Sequence, residues 1–401
     1  MPTIQQQLDR HGGVGPGFDF VRMGLATLVL FIHTSMIAPG VVGAEGSPLF
    51  PGAPVDRWTL NAAVLPMFFA LSGFLVAGSA ERLSLGSFLA NRSFRIFPAL
   101  AVEITLSALL LGPLLTTLPL GAYFSDPLFA KYFLNIAGWI HYELPGVFAS
   151  NPQPNIVNGS LWTVPHELSC YALLALFMIF GLHRSRRFLL LAAVGLYAIG
   201  VLTPFLVARF PDSSVVELMN RMFVTRGAAK LVPIFLLGMA VYKYRDVLPF
   251  RRSYGVGAML VYFGVSAFGS PDWMNTPAFA AFSGPLLAYA VVIAGLSPEL
   301  RLKSINGDYS YGIYLYGFPL QQTLLALNPG MTNVALFFLM SLAASAAMAA
   351  LSWHYIEKPV MRLRRHRSLA ARIHTEPVEP KEALGEVQPA QAAPVGVRAS
   401  A

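Results

Sequence analysis

Apolar stretches of about 20 residues alternate with short polar connectors along almost the whole chain, a pattern unlike the broken periodicity of a water-soluble domain. A helix rising 1.5 Å per residue needs about 20 such residues to cross a bilayer core of about 30 Å. Runs of this kind lie near 18–38, 58–80, 94–115, 161–182, 188–208, 228–242, 254–269, 277–296, 309–327 and 334–355. A shorter stretch near 129–140 is too brief to span and is read as an interfacial helix. The pattern therefore predicts an all-α integral membrane protein, a bundle of about 10 transmembrane helices. No internal repeat is visible.

Composition agrees: 55% of the 401 residues are hydrophobic and 12% charged, against about 25% charged in soluble domains. The net charge of +8 would raise nucleic-acid binding in a soluble protein, but its distribution argues otherwise. Connectors on the side of the N-terminus hold most of the Lys and Arg residues, including Arg82, Arg184, Arg186, Arg187, Lys243 and Arg245, and the tail adds Arg362 to Arg367. The opposite connectors hold Arg57, Lys131, Arg209, Arg221, Arg226 and Lys230. Basic residues concentrate in cytoplasmic loops, so both termini are expected to be cytoplasmic and no nucleic-acid partner is expected.

Three segments follow from this reading. They are a cytoplasmic N-terminal segment over 1–17, a membrane domain over 18–360, and a basic, then disordered, cytoplasmic tail over 361–401. The longest outer loop runs from about 116 to 160 and contains the turn-rich Asn151-Pro-Gln-Pro-Asn155. Residues 23–44 loosely fit a signal peptide ending Val42-Gly43-Ala44, but the run is long enough to span and is read as a retained first helix. Cys170, the one cysteine, excludes an internal disulfide and offers no metal cluster.

Ionisable residues inside a span are costly and point to function. In the first run Arg22 and His33 are eleven residues apart, about 20° in direction and about 16 Å in depth on a helix. In the fourth, Asn158-Gly-Ser-Leu-Trp162 leads into the membrane and sets Glu167 about 10 Å deep, close to the depth of His33. An encounter of His33 with Glu167 is therefore expected. On the cytoplasmic side Ser72, Arg92, Arg95 and the tyrosines of the ninth run, Tyr314 among them, form a layer able to hold phosphates. Trp162 is an interface residue beside the outer loop. His141, Glu143, His354 and Glu357 fall at loops or helix ends and are assigned no chemistry.

These residues together resemble a family. Phe18-Asp-Phe-Val-Arg22 with His33, Phe68-Phe-Ala-Leu-Ser-Gly-Phe-Leu75 and Asn91-Arg-Ser-Phe-Arg-Ile-Phe-Pro98 look like the opening blocks of the membrane-bound type-3 acyltransferases. Asn158 through Tyr171, Tyr309-Ser-Tyr-Gly-Ile-Tyr-Leu-Tyr316 and His354-Tyr-Ile-Glu-Lys-Pro359 resemble the later blocks, in order. One departure stands out: many members have a histidine where this chain has Gly317. A direct role for a histidine there is excluded. The fused extracytoplasmic esterase-like domain of many members is also not seen.

The resemblance implies transfer of an acyl group, usually acetyl from acetyl-CoA, to a hydroxyl of a glycan or small molecule in the inner membrane. It implies that Arg22 and His33 form the family's Arg/Lys-x10-His motif, with His33 essential. On this reading Arg22, Arg92, Arg95, Ser72 and Tyr314 hold the acyl-CoA, and His33 acts as general base with Glu167 behind it. Asn158 and Trp162 contact a carbohydrate acceptor, no metal is needed, and membrane lipid is the surrounding partner. The rival class is a secondary transporter or flippase, whose proton relays also use intramembrane His, Arg and Glu.

Overall fold

The computed structural model describes residues 1–13, 15–37, 57–225, 227–300 and 307–363. The tail from 364 onward, Val42 to Ala44, Arg226, Arg301 and Lys303 lie outside the described residues. Within them the chain is helical, with two isolated β-bridges, Thr3 to Pro249 and Thr116 to Val147.

The long helices are α2 (Phe18–Ile37), α3 (Arg57–Arg82), α4 (Leu85–Leu106), α7 (Val164–Ile179), α8 (Arg186–Arg209), α10 (Ala228–Lys243), α11 (Arg252–Ala267), α12 (Pro277–Gly295), α13 (Ser310–Leu327) and α14 (Val334–Ser352). Short helices are α1 (Ile4–Arg10), α5 (Leu120–Ser125), α6 (Pro127–Tyr132) and α9 (Ser214–Met219). Many begin on a polar cap: Ser84, Ser185, Thr276 and Asn333 each accept a backbone N–H three residues on, which satisfies a donor the helix cannot. Internal prolines sit in α3, α4, α8, α10, α12 and α13, tolerated in membrane helices because neighbours re-satisfy the freed backbone.

Each of the ten apolar runs is a helix, but by length and apolarity the described residues hold seven candidate spans. These are α2, α3, α4 with its continuation to Leu115, α7 with the turn before it, α8, α12 and α14. The pair Ser214–Thr225 and Ala228–Lys243, bent by 67°, makes up to eight. The runs at α11 and α13 give helices of 16 and 18 residues outside this set; α13 is diluted by Gln321, Gln322 and Thr323.

At the centre α3 and α10 touch backbone to backbone. A Cβ on Gly73 would fall 2.0 Å from the Phe235 carbonyl oxygen, and one on Gly238 would fall 1.9 Å from that of Ala70. Small residues allow such approach where lipid supplies no hydrophobic drive. Along α10 the side chains from Leu231 to Ala240 are nearly all buried, whereas Leu191 and Phe205 of α8 and Leu260 of α11 face outward, as lipid-facing residues do.

The structure adds local detail to two segments. The N-terminal segment contains α1, closed by a Thr3/Gln6 capping box; its Ile4 N–H donates to the Leu248 carbonyl at 2.9 Å and its Gln5 N–H to that of Arg245 at 2.8 Å. The expected interfacial helix near 129–140 is instead the end of α6 followed by a 3-10 turn, Phe133–Ala137, ended by Gly138 at φ 81°. The long loop over 116–160 is tied down by Gln322 of α13, whose Nε2 donates to the carbonyls of Gln153 at 2.8 Å and Ile156 at 2.7 Å.

Candidate functional site

Five cation-side residues singled out in the sequence meet in one internal cavity of about 150 Å³. Arg22 comes from α2, Ser72 from α3, Arg92 and Arg95 from α4 and Tyr314 from α13, and Glu167 of α7 joins them. The remaining wall is mostly apolar, from Leu65, Phe68 and Ile96 among others.

The three arginines are not equivalent. Asp308, just before α13, pairs with Arg22 at 2.8 Å and also with Arg95, and Arg22 takes Asp19 as a second partner at 2.6 Å. Arg92 has no carboxylate partner among the described residues. Its guanidinium lies 5.8 Å from the Tyr171 ring centroid and its buried Nε makes no hydrogen bond. Tyr171 donates to Glu167 Oε1 at 2.6 Å, so Ser72 Oγ, 3.4 Å away, is left to donate to Tyr171.

His33 lies elsewhere. It lines a second cavity of about 310 Å³ with Asn61, Tyr142, Gln153, Trp162 and Phe318, Tyr142 and Gln153 coming from the long loop over 116–160. Its ring meets Phe318 edge-on at 5.2 Å, and no hydrogen bond to its imidazole occurs among the described residues. The expected encounter with Glu167 is therefore not made. The depth estimate treated the entry to α7 as α-helix, but Gly159–Thr163 is a 3-10 turn, which rises about 2.0 Å per residue and carries Glu167 deeper, into the arginine cavity.

That turn is the partition between the cavities. Ser160, Leu161 and Thr163 face the first, Gly159 and Trp162 the second, and Leu65 lines both. Tyr314 holds it, its hydroxyl 2.6 Å from Thr163 Oγ1 and donating to the Ser160 carbonyl at 3.0 Å. Asn158 caps it: Oδ1 accepts from Ser160 N–H at 3.0 Å, and Nδ2 donates to Glu103 Oε1 and to the Leu315 carbonyl, both at 3.0 Å. Asn158 is fully buried and lines neither cavity. Its observed role is to fix the partition, not to touch an acceptor, because every polar atom of its amide is already engaged within the protein. Trp162, by contrast, does reach the second cavity.

Two acidic residues were missed. Asp308 looks like an ordinary loop acid in sequence. Glu103 did give a signal, as a carboxylate inside the apolar run 94–115; it is 1% exposed, accepts from Ser107 Oγ at 2.9 Å, and sits beside a π-helical turn, Ser107–Leu111. Glu357 lies in another π turn and accepts from Ser352 at 3.0 Å. No group of three or more His, Cys, Asp or Glu side chains suited to a metal occurs among the described residues.

Fold and site together define a multi-pass membrane protein with two cavities, one carrying arginines and one carrying His33 on largely apolar walls, meeting at a thin partition. The chain belongs to the membrane-bound type-3 acyltransferase family: the family model described as an acyltransferase domain matches residues 16–353. This membership makes it an acyltransferase and decides against the transporter class. It is similar to nodulation protein 10 of Rhizobium leguminosarum bv. viciae, 30% identical over 391 residues, covering 91% of this chain and 97% of that one. It is also similar to the O-acetyl transferase of Shigella phage Sf6, 26% identical over 359 residues, covering 85% and 94%. No solved structure matches the chain.

Proposed function

We propose that this protein is an O-acetyltransferase of the inner membrane, moving acetyl from cytoplasmic acetyl-CoA to a hydroxyl of a carbohydrate on the outer side. On this reading the chain crosses about ten times, with both ends cytoplasmic. The observation that carries the proposal is the partition: an arginine-lined cavity and a histidine-lined cavity share Leu65 and the turn Gly159–Thr163. The acetyl transferase name of the phage relative supports the acyl group, and the excess of Lys and Arg on the N-terminal side supports the orientation.

Arg92, Arg22 and Arg95 attract the donor's phosphates, while the apolar wall accommodates its pantetheine arm. His33 Nε2 or Nδ1 takes the proton of the acceptor hydroxyl as its oxygen attacks the thioester carbonyl. The carbon–sulfur bond breaks, an ester forms, and the proton leaves on the thiol of CoA. Glu167 belongs to the donor side, where it fixes Tyr171. With membranes holding equal amounts of protein, His33→Ala is expected to abolish transfer of labelled acetyl to glycan. Retained turnover rejects the proposal.

A further inference from the structure

A third cavity, of about 60 Å³, opens beside the histidine cavity and shares Asn61, Leu65 and Trp162 with it. Lys230, at the start of α10, lines it. The positive-inside rule does not account for this lysine, because the orientation argued above puts it on the outer side. The half-buried Lys230 donates from Nζ to Asn275 Oδ1 at 2.9 Å, a neutral partner at the exposed rim of the cavity. None of the described residues lining this cavity is acidic, and Lys230 forms no ion pair among the described residues. Tyr197 also lines it, 6% exposed, with its buried hydroxyl making no hydrogen bond. A cation without a counter-ion and an orphaned O–H donor, both half or fully removed from water, leave a site short of one negative charge and one acceptor.

We infer that this cavity binds an anionic substituent, a carboxylate or phosphate, on the acceptor whose hydroxyl is presented to His33, with Lys230 and Tyr197 as its ligands. The inference rests on the proposed transfer to carbohydrate and narrows its substrate to acidic or phosphorylated glycans. The size agrees: the cavity has room for about four waters, enough for a carboxylate or phosphate but too little for a sugar ring, which the larger histidine cavity receives. Trp162, on the wall of both, is placed to lie against the ring between them.

The test is equilibrium binding to the full chain in nanodiscs, by calorimetry, of methyl β-glucoside, methyl β-glucuronide and methyl 6-phospho-β-glucoside. The unsubstituted protein is expected to bind an anionic glycoside about tenfold tighter than the neutral one, the worth of a charged hydrogen bond. Lys230→Met removes the preference, Lys230→Arg keeps it, and Tyr197→Phe weakens it. Should Lys230→Met not elute as a single species, Tyr197→Phe and Lys230→Arg carry the comparison. Whether the carboxylate or the phosphate leads separates an acidic sugar from a phosphorylated one. Equal binding of all three by the unsubstituted protein, or an undiminished preference in Lys230→Met or Tyr197→Phe, overturns the inference. Labelled acetyl transfer is measured on the same samples. Preference without transfer rejects the acetyltransferase reading and leaves the anion site standing; transfer without preference rejects the anion site alone.

Discussion

Arg92 carries the free charge of the arginine cavity, because Asp308 already pairs with Arg22 and Arg95. Arg92→Ala is therefore expected to raise KM for acetyl-CoA about tenfold, the loss of one charge-assisted contact, with a smaller change in kcat and normal protein abundance. Removing Arg22 or Arg95 instead takes from the half-buried Asp308 one of its two cationic partners and lowers abundance as well; steady-state kinetics beside an immunoblot separates the two cases. Asn158 makes a contrasting prediction. Asn158→Ala leaves Glu103 Oε1, the Leu315 carbonyl and the Ser160 N–H short of partners, at a cost of about 1–3 kcal/mol for a buried group. A thermal-shift measurement in detergent should show a lower midpoint, and an unchanged midpoint would remove the cap from the account of the partition. The sequence reading grouped Arg22, Arg92, Arg95, Ser72 and Tyr314, and they share a cavity, which Glu167, expected beside His33, joins. It did not show which arginine is free, since the neutralising Asp308 lies 213 residues from Arg95 in the chain.

At the scale of elements the decisive contact is between α3 and α10. The Ser72-Gly73-Phe74 segment carries two roles in adjacent residues: Ser72 faces the arginine cavity, and Gly73 lets the Phe235 carbonyl approach. Because a Cβ at Gly238 would meet the Ala70 backbone at 1.9 Å, which cannot yield as a side-chain tip does, Gly238→Val is expected to split α3 from α10. Gel filtration should show loss of the monodisperse species, whereas Gly257→Val, with open space around its Cβ position, should elute normally. The apolar runs announced every long helix. They did not announce the 3-10 turn before α7, because Gly159–Thr163 reads as an ordinary helix start and its geometry is fixed by Tyr314 and Asn158 from outside the segment.

For the whole molecule, the polarity of the bundle is the claim most open to a single experiment. With Cys170 replaced by serine, a cysteine introduced at Ser185 and another at Ser125 report the two sides. Ser125 is expected to react with an impermeant maleimide in intact cells, and Ser185 only after the membrane is opened. Labelling of Ser185 in intact cells would invert the proposed path of acetyl. The sequence by itself determined that the chain is helical, membrane-embedded and polarised in charge, because span length, apolar content and loop charge are local quantities that the bilayer reads directly. Tertiary structure alone decided that His33 and Glu167 stand in different cavities, that Asp308 divides the arginines into paired and free, and that Lys230 and Tyr197 face a common space. Those facts depend on distances between helices far apart in the chain, and depth along one helix carries no information about its neighbour's rotation or rise.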